Sequence, residues 1–270
     1  MSSPVRLVAL DLDGTTLNRQ GEITPGVREA IVQAREAGVR VVIATGRPLV
    51  EAQRPWADLG GEGPLIVCNG ALVADPGKRE ALFSFPLPEE EIWGWVDELE
   101  KQELDVMACV LPLSGEDLYL WREPRHPAAK DFLTGKAART KKIAPGCKMP
   151  SVGRLAAFGP KKRVEKAVRT GSKIAWLGNG PEAMGILEVA NPKADKGDAL
   201  ALLARQWGIE PETVVAIGDH YNDLGMFQYA GCSVAMANAP PEVAAKADMV
   251  TASNDEDGVA QIFRFLNIGS

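Results

Sequence analysis

The stretch Leu7 to Asn18 reads LVALDLDGTTLN. Four mostly apolar residues lead to two carboxylates one residue apart, Asp11 and Asp13, followed by Gly14 and two threonines. Alternate residues of an extended chain point the same way, so both acids can face one site. Two anions this close repel strongly unless a cation or a proton lies between them. The stretch therefore invites a magnesium ion and, with it, phosphate chemistry. Taken alone it also reads as a strand end followed by an Asp-Gly turn.

Three later stretches add to it. Val39 to Ala44 reads as a buried strand running into ATGRP, where Thr45 and Gly46 offer a hydroxyl and an unencumbered backbone amide to a phosphate oxygen. In NPKADKGDAL, Asp195 can cap a helix, and Lys196 falls in its first turn. A cation there meets the positive end of the helix dipole, which favours a solvated side chain or a share in an anion site. Val214 to Ile217 is a short apolar run ending in GDHYNDLGMF, which brings Asp219, with Asn222 and Asp223 at the start of a helix. Several strand ends carrying acids are costly without a compensating cation. Oxygen-rich, nitrogen-poor surroundings select magnesium over zinc, and His220 reads as a rim or solvent-facing residue. Asn69-Gly70 reads as a hairpin turn with no chemical role.

The elements that must position these residues alternate as strand, helix, strand. Thr24-Pro25 opens a helix with Val27, Ala30, Ile31 and Ala34 on its apolar face, between the first two strands. Such a unit is right-handed and parallel, so Thr45 and Gly46 arrive at the same sheet edge as Asp11. Beyond Pro192 the pattern resumes and ends in a helix reaching about Leu266. The fold class read here is α/β, a doubly wound, Rossmann-like parallel-sheet core carrying an inserted α+β domain. The expected division is 1–82 and 188–270 for the core and 83–187 for the insertion.

Composition bounds the partners. The 270 residues are 46% hydrophobic and 24% charged, enough for a core in one large or two small domains. A net charge of -6 argues against general nucleic-acid binding. Cys68, Cys109, Cys147 and Cys232 are scattered without a C-x-x-C pair, which favours free thiols. No apolar run has the length of a membrane span, and no signal-peptide pattern precedes the first strand, so a cytoplasmic protein without membrane partners is expected. Within the insertion the charge is segregated: residues 122–173 hold 15 Lys and Arg against 3 acids, and residues 83–121 hold 1 against 10. Two solvated faces that partly neutralise each other account for this; a basic surface drawing an anionic substrate is the sharper alternative. Arg122, Arg125, His126, Arg139, Lys141 and Lys142 are its candidate contacts.

DLDGT, ATG, a lysine opening a helix and GDxxND, in that order, resemble the haloacid dehalogenase (HAD) superfamily of phosphatases. The spacing between ATGRP and Lys196, with the C-terminal run from Gly218 to Val259, is similar to the Cof-like hydrolases with their type IIB cap. The resemblance covers residues 5–75 and 186–267; the insertion matches in size and pattern. It implies Asp11 as the nucleophile that forms an aspartyl-phosphate and Asp13 as the general acid, then base. It implies phosphate binding by Thr45, Asn222, Lys196 and the backbone at Leu12 and Gly46. Mg2+ would be held by Asp11, the Asp13 carbonyl and Asp219, with Asp223 in support. Thr16 departs from the family's usual leucine. The implied activity is a magnesium-dependent phosphatase for small phosphorylated metabolites, sugar phosphates above all, working as a monomer or homodimer. A phosphomutase, a non-hydrolytic phospho-acceptor regulator and a catalytically dead scaffold are the alternatives.

Overall fold

The computed structural model describes residues 4–111, 118–134, 140–168, 173–177 and 184–269. The chain forms two compact units, one of Met1–Ser84 with Lys193–Ser270 and one of Phe85–Pro192.

The first unit opens with β1 (Leu7–Leu10), α1 (Pro25–Glu36), β2 (Arg40–Ala44), α2 (Leu49–Asp58), β3 (Leu65–Val67), β4 (Leu72–Asp75) and β5 (Glu80–Ser84). The second holds α3 (Glu89–Lys101), β6 (Asp105–Val110), β7 (Leu118–Leu120), α4 (Pro127–Leu133), β8 (Thr140–Lys142), β9 (Val152–Pro160), α5 (Lys161–Ala167), β10 (Lys173–Leu177) and β11 (Met184–Ala190). The first resumes with α6 (Lys196–Gln206), β12 (Val214–Gly218), α7 (Leu224–Tyr229), β13 (Cys232–Ala235), α8 (Pro241–Ala244), β14 (Met249–Val250) and α9 (Gly258–Phe265).

The first unit's sheet runs β14-β13-β12-β1-β2-β3-β4-β5. It is parallel from β14 to β3. Every residue of β1 and β12 is buried, as strands covered on both faces must be. α1 forms because the Thr24 hydroxyl accepts the Val27 amide at 3.2 Å, Pro25 presets the first turn, and Val27, Ala30, Ile31 and Ala34 bury one face. β1 lies between β12 and β2, with Leu10 opposite both Ile217 and Ile43. Three strands thus end side by side, where open α/β sheets bind their ligands.

The parallel core read in the sequence carries an antiparallel edge. The Asn69-Gly70 hairpin turns the chain back, so β4 pairs antiparallel with β3, and β5 antiparallel with β4. Residues of β5 are half-buried or exposed, so its edge position leaves little hydrophobic pattern to read.

The second unit is a six-stranded sheet, β10-β11-β9-β6-β7-β8, antiparallel except for β7 with β8. Ile92, Val96 and Leu99 of α3 pack in one core with Val106, Leu155 and Leu187. The basic stretch with Lys141 and Lys142 forms strand β8, because backbone pairing with β7 overrides the solvation of its lysines. Arg139 lies outside the described residues. Arg122, Arg125, His126 and Lys142 have acidic or carbonyl partners within the unit. Arg122 pairs with Glu100 at 2.7 Å, Arg125 with Asp105 at 3.3 Å, and Lys142 with Glu123. The His126 ring lies 3.0 Å from the Glu103 carbonyl, and Lys141 also makes an interaction. Buried Asp105 organises this corner by accepting the Arg125 and His126 amides, each at 2.6 Å. Mutual neutralisation of the two charged halves is therefore the reading the contacts favour. No helix among the described residues is long and apolar enough to cross a membrane.

Candidate active site

The acids and their partners converge at the carboxyl ends of β1, β2 and β12. All of them lie in the first unit. Asp11 follows β1 and is buried; Leu12 after it is fully buried. Gly14 takes φ +82, which turns the chain sharply after Asp13. The Thr16 hydroxyl donates to the Asp11 carbonyl at 2.5 Å and fixes the turn from below.

Lys196 is the first residue of α6, and Asp195 caps that helix by accepting the Gly197 amide at 2.8 Å. The lysine side chain is wholly buried. Its Nζ donates to Asp11 Oδ1 at 2.6 Å and to Asp223 Oδ1 at 2.7 Å. The two carboxylates offset the unfavourable placement of a cation at a helix N-terminus. Burial alone would lower the ammonium, but Asp11 and Asp223 hold it above the ordinary lysine range.

Asp219 follows β12 and is half-buried. Its Oδ1 accepts from the Thr15 hydroxyl at 3.3 Å and its Oδ2 from Asn238 at 3.2 Å. Asp223 is fully buried, and its Oδ2 accepts the Asp219 and His220 amides, each at 3.0 Å. Two glycines make room: a Cβ on Gly14 would lie 2.3 Å from Asp219 Oδ2, and one on Gly218 2.4 Å from Asp223 Oδ2.

Asp11, Asp219 and Asp223 each bring a carboxylate oxygen within 4.8 Å of the others. Burial raises the Asp11 carboxyl to about 8 in spite of Lys196, with Asp223 adding to the rise. Burial likewise raises Asp219 to about 6, again with Asp223 contributing. Three acids facing one ammonium form an electron-rich, oxygen-only donor set, which suits a hard divalent cation. Asp223 already serves Lys196 and two amides, so Asp11 and Asp219 are the better placed to hold such an ion. His220 is exposed, its ring 5.2 Å from that of Tyr221, and it reaches the cluster through its link to Asp223, not as one of the three acids.

Thr45 is fully buried just after β2, and its Oγ1 accepts the Arg47 amide at 3.1 Å. A Cβ on Gly46 would lie 2.9 Å from Asn69 Oδ1. Asn222 donates from Nδ2 to that same oxygen at 2.9 Å. Asp13 stands apart from the buried cluster: its side chain is 57% exposed, and Arg47 grips both oxygens, Nε to Oδ2 at 2.8 Å and Nη2 to Oδ1 at 2.5 Å.

Several residues at this edge have no role in the sequence reading. Asn69 is one: its hairpin turn also ties Thr45 and Gly46 to Asn222, which corrects its reading as a turn alone. Arg47, inside ATGRP, is another. Thr15 and Asn238 are the others; no spacing rule singles out either, since each acts through an Asp219 contact more than 18 positions away in sequence.

The family model for haloacid dehalogenase-like hydrolases matches residues 8–263. A 5-amino-6-(5-phospho-D-ribitylamino)uracil phosphatase of Bacillus subtilis, YwtE, is 31% identical, over 95% of this chain and 96% of its own. A pyridoxal phosphate phosphatase of Escherichia coli, YbhA, is 28% identical, over 95% and 96%. A solved sugar phosphatase of HAD subclass IIB superposes with a TM-score of 0.79 at 22% identity, covering 98% of this chain and all of that one. The chain belongs to the haloacid dehalogenase-like hydrolases, in its Cof-like branch. Its enzyme class is phosphoric monoester hydrolase.

Proposed function

We propose that this protein hydrolyses small phosphorylated metabolites, sugar phosphates among them, through an aspartyl-phosphate on Asp11 and with magnesium. The observation that carries the reading is the buried Asp11 carboxylate at a strand end with Lys196 Nζ 2.6 Å away. The relatives named as 5-amino-6-(5-phospho-D-ribitylamino)uracil and pyridoxal phosphate phosphatases, and the neighbour named as a sugar phosphatase, support the substrate class.

In the first step an Asp11 oxygen attacks phosphorus and the ester P–O bond breaks. Asp13 gives its proton to the departing alkoxide. In the second, Asp13 takes a proton from water, whose oxygen attacks phosphorus. The acyl-phosphate bond then breaks, and Asp11 is restored as phosphate leaves. Splitting the reaction gives two easier displacements. Lys196 neutralises charge on the nucleophile and the transferring group, and Thr45, Asn222 and the amides at Leu12 and Gly46 hold phosphoryl oxygens. Asp11, the Asp13 carbonyl and Asp219 would hold magnesium, with Asp223 supporting Lys196 and the β12 loop. The ion, when bound, supplies charge neutralisation between the anionic nucleophile and the anionic substrate.

The residues 83–187 we assign to a cap that supplies substrate specificity. The direct test of the function is magnesium-dependent phosphate release from p-nitrophenyl phosphate by the wild type and by Asp11→Asn. Release by the wild type and none by the variant is the expected result; full activity in the variant removes Asp11 from the nucleophile's role.

A further inference from the structure

The site has two cations, and they are held in opposite ways. Lys196 is wholly buried between two carboxylates. Arg47 is 29% exposed and grips the 57% exposed Asp13 through a two-toothed fork. We infer that Arg47 is a positioning residue for Asp13, holding the plane of that carboxyl group so that one oxygen faces the leaving group. This rests on the acid-base role of Asp13 proposed above.

The geometry supplies the reasons. The Arg47 backbone is fixed on both sides: its amide donates to Thr45 Oγ1 at 3.1 Å, and its carbonyl accepts the Cys68 amide at 2.9 Å. The guanidinium therefore springs from a pinned segment of the sheet edge. Asp13, by contrast, follows the fully buried Leu12 and precedes the φ +82 turn at Gly14, with its side chain in solvent. Among the described residues, the hydrogen bonds recorded for its carboxylate are the two from Arg47. An exposed aspartate without them would sample several rotamers. A carboxyl group keeps acceptor capacity whether or not it carries its proton, so the fork can hold Asp13 through both steps. A planar guanidinium can span both oxygens, whereas an ammonium meets them as a point charge.

A second role competes with this one. Arg47 adjoins Thr45 and Gly46, and a guanidinium fork also fits a phosphate. The two roles separate by leaving group. Proton donation matters more for phenyl phosphate, with its poorer leaving group, than for p-nitrophenyl phosphate. The value of kcat/KM reports only events up to departure of the phenol, so the later attack by water does not blur it.

The experiment measures kcat/KM for both esters, and inhibition by inorganic phosphate, in the wild type, Arg47→Met and Arg47→Lys. Thermal unfolding of each variant checks its fold. A lost orientation predicts a fall of roughly 10-fold to 100-fold for phenyl phosphate in Arg47→Met. It predicts a change within about threefold for p-nitrophenyl phosphate and for phosphate inhibition, with Arg47→Lys between Met and wild type. Equal losses on the two esters, weakened phosphate inhibition, or an intact rate on phenyl phosphate overturns the inference and leaves the phosphatase reading standing. A wild type that cleaves neither ester defeats that reading, and the positioning role with it.

Discussion

The Lys196 ammonium lies 2.6 Å from Asp11 Oδ1 with no solvent contact on its side chain, and Asp223 holds it from the other side at 2.7 Å. A cation sealed in this way is a permanent part of the site. Its neighbours are permanent too, since a buried acid without a partner is costly.

Replacing Lys196 by Met therefore leaves two buried carboxylates facing each other. Breaking a buried pair costs about 3–5 kcal/mol. Part of that is recoverable because Asp11 can take a proton. The loss in Tm is expected to be larger at about pH 8 than at about pH 5, with phosphatase activity abolished at both. Thermal melts of Lys196→Met at the two pH values check this; an equal loss at both would contradict the charge argument.

The raised acids give the metal-free protein a definite pH dependence. Asp11 titrates near 8 and Asp219 near 6 in the folded state, both above the ordinary carboxylate value of 3.8. The folded form thus binds protons that the unfolded form has released, so these groups lower stability as pH rises from about 4 to about 8. A divalent cation on the same oxygens opposes that loss. Melts in chelator and in magnesium should show an increment from the metal that grows with pH over this window. A constant increment would contradict the assignment of Asp11 and Asp219 as its ligands.

Gly14 can be tested against a glycine of similar backbone. Gly14 and Gly21 have φ +82 and +76, but a Cβ on Gly14 meets Asp219 Oδ2 at 2.3 Å, while one on Gly21 meets nothing within 4 Å. Gly14→Ala should raise the magnesium needed for half-maximal activity by roughly 10-fold to 100-fold. Gly21→Ala should share the backbone strain and leave the magnesium requirement unchanged. A magnesium titration of activity distinguishes the two.

Asn69 has φ 55, the left-handed region that asparagine tolerates better than alanine does. Asn69→Gly removes the acceptor for Asn222 without the strain; Asn69→Ala removes it and adds strain. Both should lower kcat/KM several-fold, about the worth of one hydrogen bond, and only Asn69→Ala should also lower Tm markedly. Normal kcat/KM in Asn69→Gly would restrict Asn69 to its turn.

The legible parts of this chain are those whose chemistry is local. Leu7 to Leu10 and Val214 to Ile217 read as buried strands because their residues are apolar throughout, and their acids stand out because carboxylates at strand ends demand a cation. Asp195 and Thr24 read as caps from their place before a helix, and both accept the expected amides. What the sequence hides depends on partners distant in the chain. Asn69 looks like half of a turn until Asn222, 153 residues on, meets its oxygen. Arg47 gains its role only when folding places Asp13 against it, 34 residues back. β5 and β8 escape notice because an edge strand and a lysine-rich strand owe their pairing to the backbone, not to an apolar pattern.

The central claim, that Asp11 carries the phosphoryl group between two displacements, is tested most directly by the stereochemical course at phosphorus. The substrate is a phosphate ester made chiral with oxygen isotopes, hydrolysed in isotopically labelled water with magnesium. Each in-line displacement inverts the phosphorus, so passage through an aspartyl-phosphate predicts net retention. Net inversion would mean that water attacks the ester directly, and would contradict a nucleophilic Asp11.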